Sequence, residues 1–132
     1  MLFTFTVTSK VREEYINIDA LVEEALEKSG VEAGIITIFT PHTTAGITIN
    51  ENADPDVTRD LVYGMNMTFD NKKEYRHAEG NSDSHMKSSL TGASETLIIE
   101  GGEVIYGTWQ SSYFAEFDGP RDRKVHIKVI EG

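Results

Sequence analysis

The chain has no cysteine, which excludes disulfide staples and every chemistry that runs through a thiolate. That absence fits a reducing compartment, and a cytoplasmic protein is expected. No apolar run exceeds a few residues, so nothing reads as a membrane-spanning helix and no membrane partner is expected. The opening Met1-Leu2-Phe3-Thr4 lacks the basic region and apolar stretch of a secretion signal. Basic residues are scarce: twelve Lys and Arg stand against twenty-two Asp and Glu, for a formal charge of −10. This balance excludes a general nucleic-acid binder, because such affinity comes from neutralising phosphates. It still allows local anion binding wherever a few cationic groups gather. Linkers, low-complexity tracts and internal repeats are also missing. With 132 residues and 39% hydrophobic content spread along the chain, one domain over residues 1–132 with a buried core is expected.

What is present has two periods. Phe3, Phe5 and Val7 alternate with Thr4, Thr6 and Thr8, and Val125, Ile127 and Val129 alternate with Lys124, His126 and Lys128. Both patterns predict strands. Further strands are expected over 14–18, 34–40, 46–50, 96–100, 104–110 and 113–117, with Gly101-Gly102 as a hairpin turn and Ser111-Ser112 as a brief one. Leu21, Val22, Ala25 and Leu26 share one face of a helix over 20–28, capped by Asp19 and ended by Gly30. Asp54-Pro55 predicts the start of a second helix to about Gly64, burying Val57, Leu61 and Val62. Residues 66–73 read as loop. A short third helix over 86–90 would follow Ser82 as its cap and stop at Gly92. Strands outnumber helices without strict alternation. The expected class is therefore α+β, a mostly antiparallel, sandwich-like sheet core with two to three short helices.

The polar stretch from Tyr75 to Lys87 puts His77, His85, Arg76, Glu79, Asn81 and Asp83 around Gly80. Such side chains need water, a partner or an ion. His85 falls in the first turn of the third helix, beside free N–H groups that favour an anion. His42 lies at a strand break between Pro41 and the hydroxyls of Thr43 and Thr44. It reads either as a turn histidine or as a ligand and acid–base group with hydroxyls ready for phosphate. The spacing of His77 and His85 matches no helical zinc motif, but three loop histidines that converge could hold a divalent ion.

Glu51, between Asn50 and Asn52 at a strand end, reads as a helix-entry acceptor, an oxygen ligand or a base. The sole tryptophan, Trp109, stands beside Gln110, either as a core residue or as one side of a slot for a heterocycle. The run from Glu116 to Arg123 holds acids and arginines about one turn. It is either an ion-paired turn or a phosphate clamp led by Arg121. His126 alternates with lysines and receives no role.

Taken in combination, Pro41-His42-Thr43-Thr44-Ala45-Gly46, Asn50-Glu51-Asn52, His77 with 79–87, Gly107-Thr108-Trp109-Gln110 and Glu116-Phe117-Asp118-Gly119-Pro120-Arg121 resemble the YjbQ-like family from about Gly34 to Val129. The resemblance implies a small α+β fold with a sandwich-like core, assembled as a homotrimer. It implies a pocket of three histidines, carried by His42, His77 and His85, with Asn81 and Asp83 close by. It also implies a secondary thiamine-phosphate synthase, joining an aminopyrimidine diphosphate to a thiazole phosphate with release of pyrophosphate. On that reading a divalent metal, magnesium or zinc-like, sits on the three histidines. Thr43, Thr44, Asn81, Asp83, Trp109, Gln110 and Arg121 would hold the phosphorylated substrates, and Glu51 would join the catalytic group. Some relatives carry a cysteine where this chain has Ala115, so a thiol-dependent mechanism is closed to it. Two other readings stay open. One is another hydrolytic or phosphoryl-transfer enzyme. The other is a non-catalytic trimer that binds a small anion or a metal.

Overall fold

The computed structural model describes residues 1–132. Its elements run β1 (Leu2–Thr8), β2 (Glu14–Asn17), α1 (Asp19–Ser29), β3 (Gly34–Phe39), β4 (Ala45–Glu51), α2 (Pro55–Thr68), α3 (Ser82–Thr91), β5 (Ser94–Glu100), β6 (Glu103–Val104), β7 (Gln110–Glu116) and β8 (Asp122–Glu131). The fold is α+β. Five strands form one antiparallel sheet in the order β1-β8-β3-β5-β6, and three form a second in the order β2-β7-β4. The period-two patterns at the two chain ends meet directly, Phe5 opposite Val125 and Phe3 opposite Ile127. Ile36, Ile38, Val125 and Ile127 from the first sheet share one core with Ile47 and Phe114 from the second. Val22, Ala25 and Leu26 of α1 close that core. No helix is long and apolar enough to cross a membrane.

Where local expectations shift, a tertiary partner explains the shift. Asp19 was expected to cap α1. Instead Ile18 occupies the cap position, and the Asp19 carboxylate accepts from the Ser112 N–H at 2.8 Å and the Tyr106 hydroxyl at 3.3 Å. That bond holds Ser111 and Ser112 inside β7, both buried, where a turn was expected. The expected strand 104–110 is split, because the Gln110 side chain folds back on the Gly107 N–H at 2.8 Å. Gly30 ends α1 as expected, in the left-handed region at φ 67°.

The second helix starts as expected, with the Asp54 carboxylate accepting from the Asp56 N–H at 2.9 Å. It then runs past Gly64 to Thr68, into the stretch read as loop. Asn66 explains the extension, since its side-chain amide bonds both Glu13 and Lys87. The helix buries no residue fully; Val57, Leu61 and Val62 are only half-buried, and Tyr63 and Met67 are exposed. Helix α3 begins at Ser82, four residues before the expected start at Met86, with Asn81 rather than Ser82 at its cap. Its anchor is Lys87, fully buried, whose ammonium pairs with Glu13 and lies 3.5 Å from Asp83. Arg12 adds bonds of 3.2 Å to Asp83 and to the Ser84 hydroxyl. These links tie the N-terminal turn of α3 to the β1–β2 loop.

Candidate functional site

Strand β3 ends at Phe39, but β8 continues past it. Two side chains take over as its partners. The Thr40 hydroxyl donates to the Lys124 carbonyl at 3.4 Å, and the Lys124 N–H donates to Nε2 of His42 at 2.8 Å. The strand break thus pins the imidazole ring by its backbone neighbour. Thr44 follows, buried, and its hydroxyl accepts from Arg123 at 2.8 Å. Arg123 and Glu116 form a fully enclosed ion pair, with Glu116 also accepting from the Ser9 hydroxyl at 2.7 Å and the Asp118 N–H at 3.1 Å.

From the other side comes the start of α3. Asn81 donates through its amide to Asp118 at 2.8 Å, which locks the helix end to the turn after β7. Asp118 also accepts from Arg121 at 3.2 Å. The Arg121 side chain stays about half exposed. The rings of His77 and His85 stand edge to face, with centroids 5.2 Å apart. Together these groups enclose a polar cavity of about 440 Å³, to which His42, His77, His85, Thr43, Thr44 and Arg121 all contribute. The side-chain amide oxygen of Asn81, Oδ1, is buried beside it with no hydrogen-bond partner in the chain. Buried acceptors are rarely left so. On the far side of these two histidines lies an apolar groove of about 560 Å³, lined by Phe69, Met86 and Leu90 and sharing His77 and His85 as its wall.

Electrostatics favour a neutral His42. Burial lowers its pKa below the usual histidine range, and the nearby Arg123 charge lowers it further, only partly offset by Glu116. For Glu116 burial works upwards, but the hydrogen bonds from Arg123 and Ser9 prevail and hold the carboxyl below its ordinary value. The His42 shift carries a stability consequence. The unfolded chain binds that proton more readily than the folded one, so stability is full above about pH 6.5 and declines as pH falls through the folded pKa. A histidine NMR titration should therefore show His42 taking up its proton below the usual range. A midpoint at or above about 6.5 would contradict this lowering by partial burial and the Arg123 charge.

The cavity brings together His42, His77, His85, Thr43, Thr44, Asn81 and Arg121. Asp83 turns away from it towards Arg12 and Lys87. Glu51 and Gln110 face each other at the opposite end of the β4–β7 pair, where the Asn52 N–H donates to the Trp109 carbonyl at 2.8 Å. Ala45 opposite Glu116 marks the cavity end of the same pair. The six residue steps from Ala45 to Glu51 correspond to roughly 20 Å of strand. Within one chain, Glu51, Trp109 and Gln110 therefore stand apart from the histidines, and Trp109 is exposed rather than core.

The donor set does not fit the expected three-histidine metal centre. Nε2 of His42 is already occupied as an acceptor, and no three His, Asp or Glu side chains stand where one ion could join them. Arg123 is the wall residue that the sequence reading passed over. Its signal was the inward parity of Arg123-Val125-Ile127-Val129 in the last strand. Asp118 and Glu79, which also line the cavity, lie in the two polar stretches singled out above but received no role there.

Residues 3–132 match the family model for the UPF0047 protein YjbQ-like family. The chain belongs to the YjbQ family. Among its YjbQ-family relatives, a UPF0047 protein of Methanocaldococcus jannaschii is 48% identical over 130 residues, covering 98% of this chain and 94% of that protein. The UPF0047 protein YugU of Bacillus subtilis is 49% identical over 131 residues, covering 98% and 99%. A YjbQ/UPF0047-family crystal structure from Clostridium acetobutylicum superposes with a TM-score of 0.95 at 51% identity, covering 97% of this chain and 99% of that one. A protein from Aeropyrum pernix keeps a TM-score of 0.94 at 30% identity, covering 100% and 99%. The YjbQ fold is thus retained across wide sequence change. The family name carries no activity with it, so the reading of function rests on the cavity.

Proposed function

We propose that the histidine cavity binds the phosphate end of a small molecule and that the chain is a transferase on phosphorylated substrates. Secondary thiamine-phosphate synthesis is its best-defined reaction. The observation that carries this reading is the convergence of three histidines, two threonine hydroxyls and Arg121 at the start of α3. In an acidic chain, such a gathering of donors is suited to hold an anion, with Glu79 and Asp118 the carboxylates in the same wall. In that reaction a carbon–nitrogen bond forms to the thiazole ring while the carbon–oxygen bond to pyrophosphate breaks, and the pyrophosphate leaves with the electron pair. Donors fixed in advance around the leaving oxygens are what stabilises that charge. The apolar groove behind His77 and His85 supplies a place for the flat ring, the role first given to Trp109.

Assembly as a homotrimer belongs to the same proposal. Helix α2, with no buried residue and with Tyr63 and Met67 exposed, offers a face for a neighbouring copy to cover. A reading as a binder of a small anion without turnover differs only in the outcome of the assay. It gains weight from the missing metal ligand set.

The test is pyrophosphate release from the aminopyrimidine diphosphate, measured with and without the thiazole phosphate. Release that depends on both substrates is expected. Arg121→Lys keeps the charge but loses the planar fork, and should raise KM for the phosphorylated substrates by about tenfold. Pyrophosphate binding without any release would leave the binder reading in its place.

A further inference from the structure

His42 carries more information than its place in the cavity. A backbone N–H can donate only to a nitrogen that has a free lone pair. The 2.8 Å bond from Lys124 to Nε2 therefore requires Nε2 to be unprotonated, and a neutral ring must then carry its proton on Nδ1. The imidazolium form would set a second N–H against the first and is excluded while the bond stands. Ligation of a metal through Nδ1 is excluded too, because that nitrogen would first have to lose its proton and leave an imidazolate. The ring lines the cavity beside Arg121, Arg123 and Thr43. Burial and the Arg123 charge act in the same direction, both against a positive ring.

We propose that His42 is a fixed neutral donor, giving its Nδ1–H to an oxygen of the bound phosphate rather than ligating a metal or exchanging protons. This rests on the phosphate reading of the cavity and gives one of its histidines a specific task. Lys124 becomes a positioning residue through its main chain, so its side chain has no part in the role. A neutral donor has an advantage beside Arg121 and Arg123, because it adds a hydrogen bond without adding a third positive charge to the wall. The competing account is that His42 only completes the hydrogen bonding of β8. That account predicts the same tautomer but no response to ligand.

The test is a ring-nitrogen correlation spectrum of histidine-labelled protein at neutral pH. It is recorded alone, with zinc, and with inorganic pyrophosphate as the probe. The expected spectrum shows His42 protonated at Nδ1 and bare at Nε2, unmoved by zinc, with the Nδ1–H shifting downfield as pyrophosphate saturates. A proton on Nε2, or a metal-bound pattern with zinc, would overturn the proposal. Movement of pocket backbone amides with a silent His42 ring would defeat the donor role and leave the phosphate reading standing. No response anywhere in the pocket would defeat both.

Variants give a second readout. His42→Gln keeps an acceptor for Lys124 and a donor for the ligand, and should hold pyrophosphate affinity within about tenfold. His42→Leu loses both and should weaken it by about tenfold to a hundredfold beyond that. Equal affinities in the two variants would overturn the donor role, whether or not either is less stable than wild type.

Discussion

Glu116→Gln is expected to lower stability by roughly 3–5 kcal/mol, which for a chain of this size is a fall in thermal midpoint on the order of 10 °C or more. Arg123 is 3% exposed and Glu116 is 0% exposed, so neither can turn to water when its partner is neutralised. The substitution leaves a guanidinium enclosed with an amide, and the cost is that of an uncompensated buried charge. Ser9 and the Asp118 N–H would also face a weaker acceptor. The Glu116→Leu, Arg123→Met pair removes both charges together and should recover most of the loss. That recovery has a limit at the cavity, because Arg123 also holds the Thr44 hydroxyl. The double variant should therefore be stable and bind phosphate poorly. The same pair governs acid behaviour. The Glu116 carboxyl is held below its ordinary value, so its stabilisation is present above the unfolded carboxyl pKa and is lost as pH falls through the lower folded one. A thermal scan of the single variant that matched wild type would show that the pair is not enclosed.

His85→Ala should act in the opposite way, abolishing turnover while sparing the fold. Its ring is half-buried, packs against His77 and makes no hydrogen bond within the chain, so little folding energy depends on it. Its removal opens the wall between the polar cavity and the apolar groove. If His85 donates or accepts a proton, or holds the leaving group, the rate should drop by about a hundredfold to ten-thousandfold. The thermal midpoint should move by only a few degrees. Loss of turnover together with a large fall in midpoint would make His85 a structural residue instead. Full turnover would remove it from the site.

The contrast between these two substitutions tracks what the sequence made legible. The strands at both chain ends and the apolar face of α1 could be read because their signal is local. Alternation over 3–7 and 125–129 fixes which side chains face inwards. The start of α2 was legible for the same reason, since Asp54-Pro55 carries its own capping chemistry. Its end was not. Asn66 stays helical because Glu13 and Lys87 hold its side chain, and those partners lie far away in sequence. Lys87 was opaque for a related reason. A lysine reads as surface until two distant segments bring Glu13 and Asn66 to it beside Asp83 of its own helix. Of the site, the residue types and the polar loops were legible, and the resemblance grouped them. Spacing did not reveal that His77 and His85 meet edge to face, and no periodicity revealed that Lys124 would claim one nitrogen of His42. Trp109 misled in the other direction. Its size favours burial, but its position at the open end of β7 leaves it exposed.

The central claim is that the histidine cavity is a phosphate site, and inorganic pyrophosphate tests it directly. Titrated into uniformly nitrogen-labelled protein, it should shift the amides of Thr43, Thr44, Asn81 and Arg121 together, along one saturable curve. Shifts confined to the Glu51–Trp109 end of the sheet, or no saturable shift at all, would contradict the account.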